Sequence, residues 1–241
     1  PEDIQLIQND TKTCPDTGMA GASRSLYMDG NATIIAANKL LAAMRKEDGT
    51  LRTYDEMKAE GIETKYLGRY ETNTTPGLCR LDPNTGIGDP TPAFTYCLNL
   101  AEVEVDTKTG KTTVLKFTCV DFVGRIGNID AVNGQAYSGI MHGIGFALKE
   151  DYADVKKHAN MFGAGTSYIK DVPDDINLIH IDGAISDGPF GSSGASEAFQ
   201  ASGHCAVLNG IYNACGVRIH EIPALPEKVK AGLDAIAKGE K

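Results

Sequence analysis

The residues best placed to do chemistry lie in a stretch of glycines and serines, residues 189–200. It reads Pro-Phe-Gly-Ser-Ser-Gly-Ala-Ser-Glu-Ala-Phe-Gln, and its one carboxylate, Glu197, stands where a helix should begin. Glycines let the backbone approach a ligand closely, and a helix start presents unpaired N–H groups and a positive dipole end. Glu197 is therefore either a base held against a bound group or an ordinary first-turn glutamate. Residue types alone favour the second interpretation.

Two other polar loops that contain glycine also lead into helices. Residues 21–25 read Gly-Ala-Ser-Arg-Ser, and residues 125–134 read Arg-Ile-Gly-Asn-Ile-Asp-Ala-Val-Asn-Gly. The first is either a solvated loop or a cradle in which N–H groups, hydroxyls and Arg24 hold phosphate or a polar ring. On its own, this loop favours the solvated interpretation.

The periodicity of apolar residues predicts the elements that must position these loops. The predicted helices are residues 31–46, capped by Asp29 or Asn31, then 54–60, 135–150, 197–214 and 226–238. The predicted strands are residues 4–8, 62–71, 93–106, 111–121, 177–182 and 217–222, with a hairpin turn at 106–110. Their irregular alternation predicts an α+β fold, with α/β and mixed sheets as the alternative.

The predicted helix 135–150 and the residue before it carry four glycines, Gly134, Gly139, Gly143 and Gly145. Each costs about 1 kcal/mol relative to alanine in a helix, so the sequence predicts close approach of another backbone or of a ligand. The irregular segment 72–92, with its prolines and glycines, is either a lid or interface arm or a disordered surface excursion.

Bulk composition limits the partners that this chain can have. Its 241 residues are 41% hydrophobic, which is enough to bury a core in one large domain or two small ones. The net charge of −9 argues against a nucleic-acid or anionic-membrane surface, although backbone N–H groups can still bind a phosphate-bearing cofactor. No apolar run approaches the ~20 residues of a membrane span.

The six cysteines are scattered, and no two of them form a C-x-x-C pair. The spacing therefore indicates neither a zinc ribbon nor an iron–sulfur cluster. It favours reduced, mostly buried thiols, and with them a cytoplasmic location. A periplasmic location is left open, because a targeting signal could lie upstream of Pro1.

Three motifs together resemble a known family over essentially the whole chain. They are residues 21–25 leading to 29–32, residues 134–139 continuing to 143–148 and Glu150, and residues 191–197 with the tail 213–218 and 223–226. The chain resembles the C-terminal part of the molybdenum-binding portion of the xanthine oxidase family. Within it, the nearest match is to bacterial aldehyde oxidoreductases that carry molybdopterin cytosine dinucleotide.

The resemblance implies an oxidation of aldehydes to carboxylic acids with water as the oxygen source and Glu197 as general base. Molybdenum would be held through the pterin, with Ser196 and Glu197 beside it and no direct protein ligand. Electrons would leave through the pterin to 2Fe-2S clusters on domains or chains absent here. The cofactor-binding residues implied by the match are Ala22, Ser23, Arg24, Ser25, Leu26, Asn128, Ile129, Ala131 and Gln135.

The chain also departs from the family pattern. Many members have glycine before the catalytic glutamate, whereas Ser196 stands there in this chain, which we interpret as a subgroup feature. Residues 1–241 are expected to form a C-terminal molybdopterin-binding domain that needs the other half of the molybdenum region and a 2Fe-2S partner, as a split subunit or a fragment. The full enzyme is expected to be a homodimer. The alternatives are a hydroxylase of a purine-type N-heterocycle and a non-catalytic assembly module.

Overall fold

The structure is a computed structural model that describes residues 4–7, 10–72, 80–89, 91, 93–185 and 187–239. Within these ranges the helices are α1 (Ser25–Met44), α2 (Tyr54–Ala59), α3 (Ile129–Leu148), α4 (Met161–Ala164), α5 (Ser196–Ala201), α6 (Gly203–Cys215) and α7 (Pro226–Ala237). The strands are β1 (Arg80–Leu81), β2 (Gly88–Asp89), β3 (Tyr96–Val105), β4 (Thr112–Phe122) and β5 (Asp175–His180). Helices and a mixed sheet confirm the predicted fold class.

The central sheet has the order β3-β4-β5. β3 and β4 form the predicted antiparallel hairpin, and Gly110 in its turn adopts a φ of +77°, which glycine tolerates best. β5 runs parallel to β4, and the last pair in that register is Asp121 with His180. The carboxyl ends of these two strands therefore lie side by side.

Helices α3 and α6 cover one face of this sheet. The core between them contains Phe117 and Cys119 from β4, and Ile140, Ile144 and Val207 from the helices. The opposite face of the sheet is apolar and open to solvent in this chain. Its exposed residues include Tyr96, Leu98, Leu100 and Ile179, with exposures between 44% and 64%.

Two of the glycines in α3 form a close seam, which we call the glycine seam, with α5 and α6. A Cβ on Gly139 would lie 2.8 Å from the carbonyl carbon of Phe199, and one on Gly143 would lie 2.9 Å from Cα of Gly203. This confirms the predicted backbone approach at both positions. The prediction is wrong for Gly134, where a Cβ would meet nothing within 4 Å.

We expect Gly139→Ala to destabilise the protein by about 1–3 kcal/mol, because the added methyl group forces α3 away from α5. Gly134→Ala, in the same helix, is the matched control and should stabilise by about 0.5–1 kcal/mol through helix propensity alone. Urea unfolding of both variants measures the difference. Equal shifts of the two urea midpoints would contradict the close approach of α3 to α5 at Gly139.

Two helices begin about six residues earlier than predicted. Helix α1 starts at Ser25, so Asp29 and Asn31 lie inside it rather than capping it. Asn31 Nδ2 instead donates to the carbonyl oxygens of Tyr27 and Asp187, 3.0 and 3.1 Å away. Helix α3 starts at Ile129, because Asn128 Oδ1 accepts from the N–H of Ala131 and caps it.

The predicted helix 197–214 is interrupted. Ser202, with φ −121° and ψ 0°, separates α5 from α6. Its hydroxyl accepts a hydrogen bond of 2.9 Å from Asn99 Nδ2 on β3. This tertiary contact breaks a helix that periodicity alone would continue.

Three predicted strands are wrong within the described residues. Residues 4–7, 62–71 and 217–222 are irregular, because their backbones form no sheet ladder, while residue 8 lies outside the described ranges. In the irregular segment 72–92, residues 73–79, 90 and 92 also lie outside, and the short β1–β2 hairpin occupies part of the rest.

The cysteines differ from the expectation of mostly buried thiols. Five of them are described as free, and among these only Cys119 is fully buried. Cys205 is exposed, while Cys14, Cys97 and Cys215 are half-buried. Cys97 and Cys215 nevertheless pack against the core, so of the described cysteines only Cys14 and Cys205 lie away from it.

Candidate active site

The three glycine-containing loops meet at one end of the helices. We call them the first loop (residues 21–24), the second loop (123–128) and the third loop (188–195). The second and third are joined by hydrogen bonds, from the N–H of Arg125 to the carbonyl of Gly191 at 2.8 Å and from Ser192 Oγ to the carbonyl of Arg125 at 2.6 Å. The second and third loops, which are distant in sequence, are therefore held side by side.

The first loop packs directly on the third. A Cβ on Gly194 would overlap the carbonyl oxygen of Ser23, so only glycine leaves room for this contact. Ala22 and Ser23 both have φ of +53°, in the left-handed region that non-glycine residues seldom adopt. Such strain costs about 1–3 kcal/mol per residue and persists where the surroundings enforce it, often at functional sites.

Glu197 lies in the first turn of α5 and is held by Ser23. The N–H of Glu197 donates to Ser23 Oγ at 2.9 Å, and Ser23 Oγ donates to Glu197 Oε2 at 3.2 Å. The carboxylate is exposed in this chain. Ser23 was predicted as a cofactor ligand, and in the structure its hydroxyl is also hydrogen-bonded to the candidate base.

Helices α1, α3 and α5 all begin beside these loops. The starts of α1 and α5 have no side-chain cap, so N–H groups of their first turns are not satisfied by a capping residue. The guanidinium of Arg24 at the α1 start donates to the carbonyl of Met19 at 2.7 Å. Helix starts and an arginine attract anions, which suits a phosphate-bearing group despite the acidic chain.

Gln135 lies one turn before Gly139 on α3. The glycine seam pairs Gly139 with Phe199 and Gly143 with Gly203, so α3 runs parallel to α5 and α6. Gln135 itself is an exposed residue of the second turn of α3, next to the buried Ala136.

The remaining predicted residues lie around the same region. Ser25 and Leu26 are the first two residues of α1, and Ser196 is the first of α5. The predicted loop containing Asn128, Ile129 and Ala131 is in fact the cap and first turn of α3. The exposed residues of the set are Ala22, Arg24, Ser25, Leu26, Asn128, Ile129, Ala131, Gln135, Ser196 and Glu197, and Ser23 is half-buried.

A cleft of about 280 Å³ opens between the first and third loops. Its walls include Ala22, Ser23, Arg24, Ser193 and Gly194. Hydroxyls, a cation and backbone N–H groups are the donors that bind phosphate and polar heterocycles. The residues present therefore fit part of a large polar cofactor. Among the described residues, no group of three or more His, Cys, Asp or Glu side chains could hold a metal ion.

We expect Ser23→Ala to lower turnover by about tenfold, because one lost hydrogen bond to a charged group is worth roughly 1.5–3 kcal/mol before compensation by water. The substitution keeps the backbone of the first loop and removes only the hydroxyl that orients Glu197. Ser138→Ala, on α3 and outside the proposed cofactor-binding residues, is the control and should change turnover less than twofold. Steady-state kinetics compare the two, and equal effects would refute the orienting role.

Comparisons with known proteins identify the family. The profile described as the molybdopterin cofactor-binding domain matches residues 1–173. An aldehyde oxidoreductase of Megalodesulfovibrio gigas is 43% identical over 235 residues, which cover 98% of this chain and 26% of that protein. The chain belongs to the molybdopterin cofactor-binding domain of the xanthine oxidase family. The predicted resemblance is thereby confirmed.

Solved structures show the same relationship for this molybdopterin cofactor-binding domain. The aldehyde oxidoreductase from Desulfovibrio desulfuricans superposes with a TM-score of 0.88 at 45% identity, over 96% of this chain and 25% of that one. A probable hypoxanthine oxidase of Escherichia coli is 28% identical over 98% of the chain and 26% of its own length. The chain thus spans about a quarter of the relatives that it matches.

Sequence reasoning missed two features of this molybdopterin cofactor-binding domain. The first is the contact of Gly194 with Ser23, which joins residues far apart in the chain and is predicted by no local sequence pattern. The second is a buried hydrogen-bonded group formed by Asp121, His180 and Asn133. Asp121 ends the predicted strand 111–121 and His180 lies within the predicted strand 177–182, so pairing of these two strands could have suggested that they meet. In the part of the chain that the structure describes, no helix has the length and apolar character of a bilayer span.

Proposed function

We propose that this chain supplies the C-terminal part of the molybdenum site in an aldehyde oxidoreductase, with Glu197 as the general base. The observation that carries the proposal is the pair of hydrogen bonds between Ser23 and Glu197, since it joins the first loop to the carboxylate in the first turn of α5. The similarity to aldehyde oxidoreductases of two bacteria supports the substrate class.

Each residue has a defined task in this proposal. When bound, molybdopterin cytosine dinucleotide would supply the two-electron chemistry. The residues that would hold it are Ala22, Ser23, Arg24, Ser25, Leu26, Asn128, Ile129, Ala131 and Gln135. Ser23 Oγ donates to Oε2 of Glu197, which leaves Oε1 to take a proton from the water-derived nucleophile. Ser196 would lie beside the metal.

The proposal includes further protein around this chain. On the open sheet face Tyr96, Leu98 and Leu100 are each more than half exposed, which supports packing of this face against the rest of a molybdenum-binding region. A 2Fe-2S domain or subunit would accept the electrons, and the full enzyme would be a homodimer. We place it in the cytoplasm.

Analysis of the purified full-length enzyme tests the proposal. Inductively coupled plasma mass spectrometry should find one molybdenum per protomer, and acid hydrolysis should release one equivalent of cytosine nucleotide. Aldehyde-dependent reduction of a dye acceptor should accompany them, with ¹⁸O from labelled water in the carboxylic acid product. An enzyme that is fully active without molybdenum, or one that contains tungsten instead, would overturn the metal assignment.

A second candidate function, hydroxylation of a purine-type N-heterocycle, is favoured by the similarity to the probable hypoxanthine oxidase. The same base would serve both reactions, so Glu197 does not discriminate between them. Comparing kcat/KM for aliphatic and aromatic aldehydes with that for hypoxanthine decides between the two. A third outcome, no turnover of either class by a fully metal-loaded enzyme, would indicate the assembly module instead.

A further inference from the structure

A buried polar group outside the candidate site links the sheet to the start of α3. His180 Nδ1 lies 2.7 Å from Asp121 Oδ2, and His180 Nε2 lies 2.8 Å from Asn133 Oδ1. We propose that Asp121, His180 and Asn133 form a positioning network that holds the first turns of α3, and with them Asn128 and Gln135, against the carboxyl ends of β4 and β5. Its relevance to the cofactor rests on the proposed function.

The network joins three separate elements. Asp121 is the penultimate residue of β4 and His180 is the last residue of β5, and the two are paired in the parallel register. Asn133 lies in the second turn of α3. A single imidazole ring therefore bridges the ends of two paired strands and the start of α3.

The start of α3 has little else to fix it. Within residues 128–135, only Val132 and Asn133 are half-buried, and the others are exposed. The first fully buried residue of the helix is Ala136, and the glycine seam begins only at Gly139. The segment that carries most of the predicted second-loop ligands therefore depends on two side chains, one apolar and one in the network.

The network is largely shielded from water. The Asp121 side chain is fully buried and that of His180 is 15% exposed, so the carboxylate has lost most of its water. Burial raises the pKa of Asp121, and the interaction with His180 opposes that rise. Both ring nitrogens of His180 lie within hydrogen-bond distance of oxygen atoms, Oδ2 of Asp121 and Oδ1 of Asn133.

The network also explains why a carboxylate is present at this depth. A buried ion is retained at a cost unless its partner and hydrogen bonds hold it, so such groups often specify one arrangement among several. Asp121 Oδ1 has no hydrogen-bond partner within the described residues, so the carboxylate is held through Oδ2 alone. Its orientation, and that of the ring, is thus set by His180 and Asn133 together.

Hydrogen exchange on the full-length enzyme tests the network with Asn133→Ala. Alanine is the better helix former, so helix propensity alone predicts slower amide exchange in α3. The network predicts the reverse, an increase of about tenfold for amides of residues 131–135, since a side-chain hydrogen bond that holds this turn is lost. Asn209→Ala is the matched control, because Asn209 lies on α6 and accepts one bond from Arg218.

The conservative variant Asn133→Asp separates positioning from mere packing. Its carboxylate still presents an oxygen to His180 Nε2, as the amide of Asn133 does, so protection of residues 131–135 should return to within about twofold of the parent. The network is overturned if amide exchange in Asn133→Ala is slower than in the parent or unchanged. It is also overturned if Asn133→Asp exchanges as fast as Asn133→Ala. Molybdenum and cytosine nucleotide are measured on the same samples. A parent enzyme that lacks both refutes the proposed function, while the exchange result still decides the network.

Discussion

Glu197→Gln is expected to lower kcat by about 10²–10⁴-fold, the usual contribution of a positioned general base. Glutamine keeps the size of the side chain, and its amide oxygen can still accept from Ser23 Oγ, so the first and third loops should remain together. Molybdenum and nucleotide content should therefore match the parent within error. Rapid-reaction reduction of the enzyme by aldehyde, under anaerobic conditions, measures the loss at the chemical step.

The control for this prediction is Glu227→Gln. Glu227 is also the acidic residue in the first turn of a helix, α7, so it shares any favourable interaction with a helix dipole. Both variants should lose about 0.3–1 kcal/mol of stability on that account. Only Glu197→Gln should lose turnover. Parent-like turnover in Glu197→Gln would refute the base, and an equal loss in Glu227→Gln would attribute the effect to stability.

Gly194→Ala is expected to release the cofactor. Its new methyl group would overlap the carbonyl oxygen of Ser23, so the first loop must shift away from the third. Overpacking of this kind costs about 1–3 kcal/mol, which corresponds to roughly 10–100-fold weaker retention of the dinucleotide. Nucleotide released during dialysis, followed by chromatography, measures this loss directly.

The matched control for Gly194→Ala lies in the neighbouring first loop. A Cβ on Gly21 would meet nothing within 4 Å, so Gly21→Ala makes the same chemical change without the collision. It should retain the nucleotide as the parent does. If Gly194→Ala also retains it, the contact between the two loops does not shape the cofactor site.

The fold was predictable from sequence where structure is local. The β3–β4 hairpin, α7 and the glycine at the end of α6 follow from alternation, periodicity and turn chemistry within a few residues. The helix boundaries that were predicted wrongly depend on side-chain contacts, one long-range and one local, that apolar periodicity does not reveal. Asn99 interrupts the helix at Ser202, and Asn128 starts α3 ahead of the predicted point.

The candidate site was predictable mainly as a set of residues. The three loops and Glu197 stand out by composition, and the resemblance assigned them to one cofactor. Their arrangement was not predictable, because it depends on Gly194 lying under Ser23 and on the left-handed conformation of Ala22 and Ser23. The contact joins residues that are far apart in sequence, and alanine and serine ordinarily avoid positive φ. Local propensity therefore predicts neither feature.

The glycine seam has a consequence for how this site could change its substrate. Along Gly139 and Gly143, α3 meets α5 and α6 through main-chain atoms, so no side chain there can be exchanged for a smaller or larger one. Side-chain substitutions elsewhere in the core should therefore have little effect on the spacing between α3, which carries Gln135, and α5, which carries Glu197. A change of substrate range would therefore have to come from the loops and from neighbouring protein, while the positions of Gln135 and Glu197 stay the same.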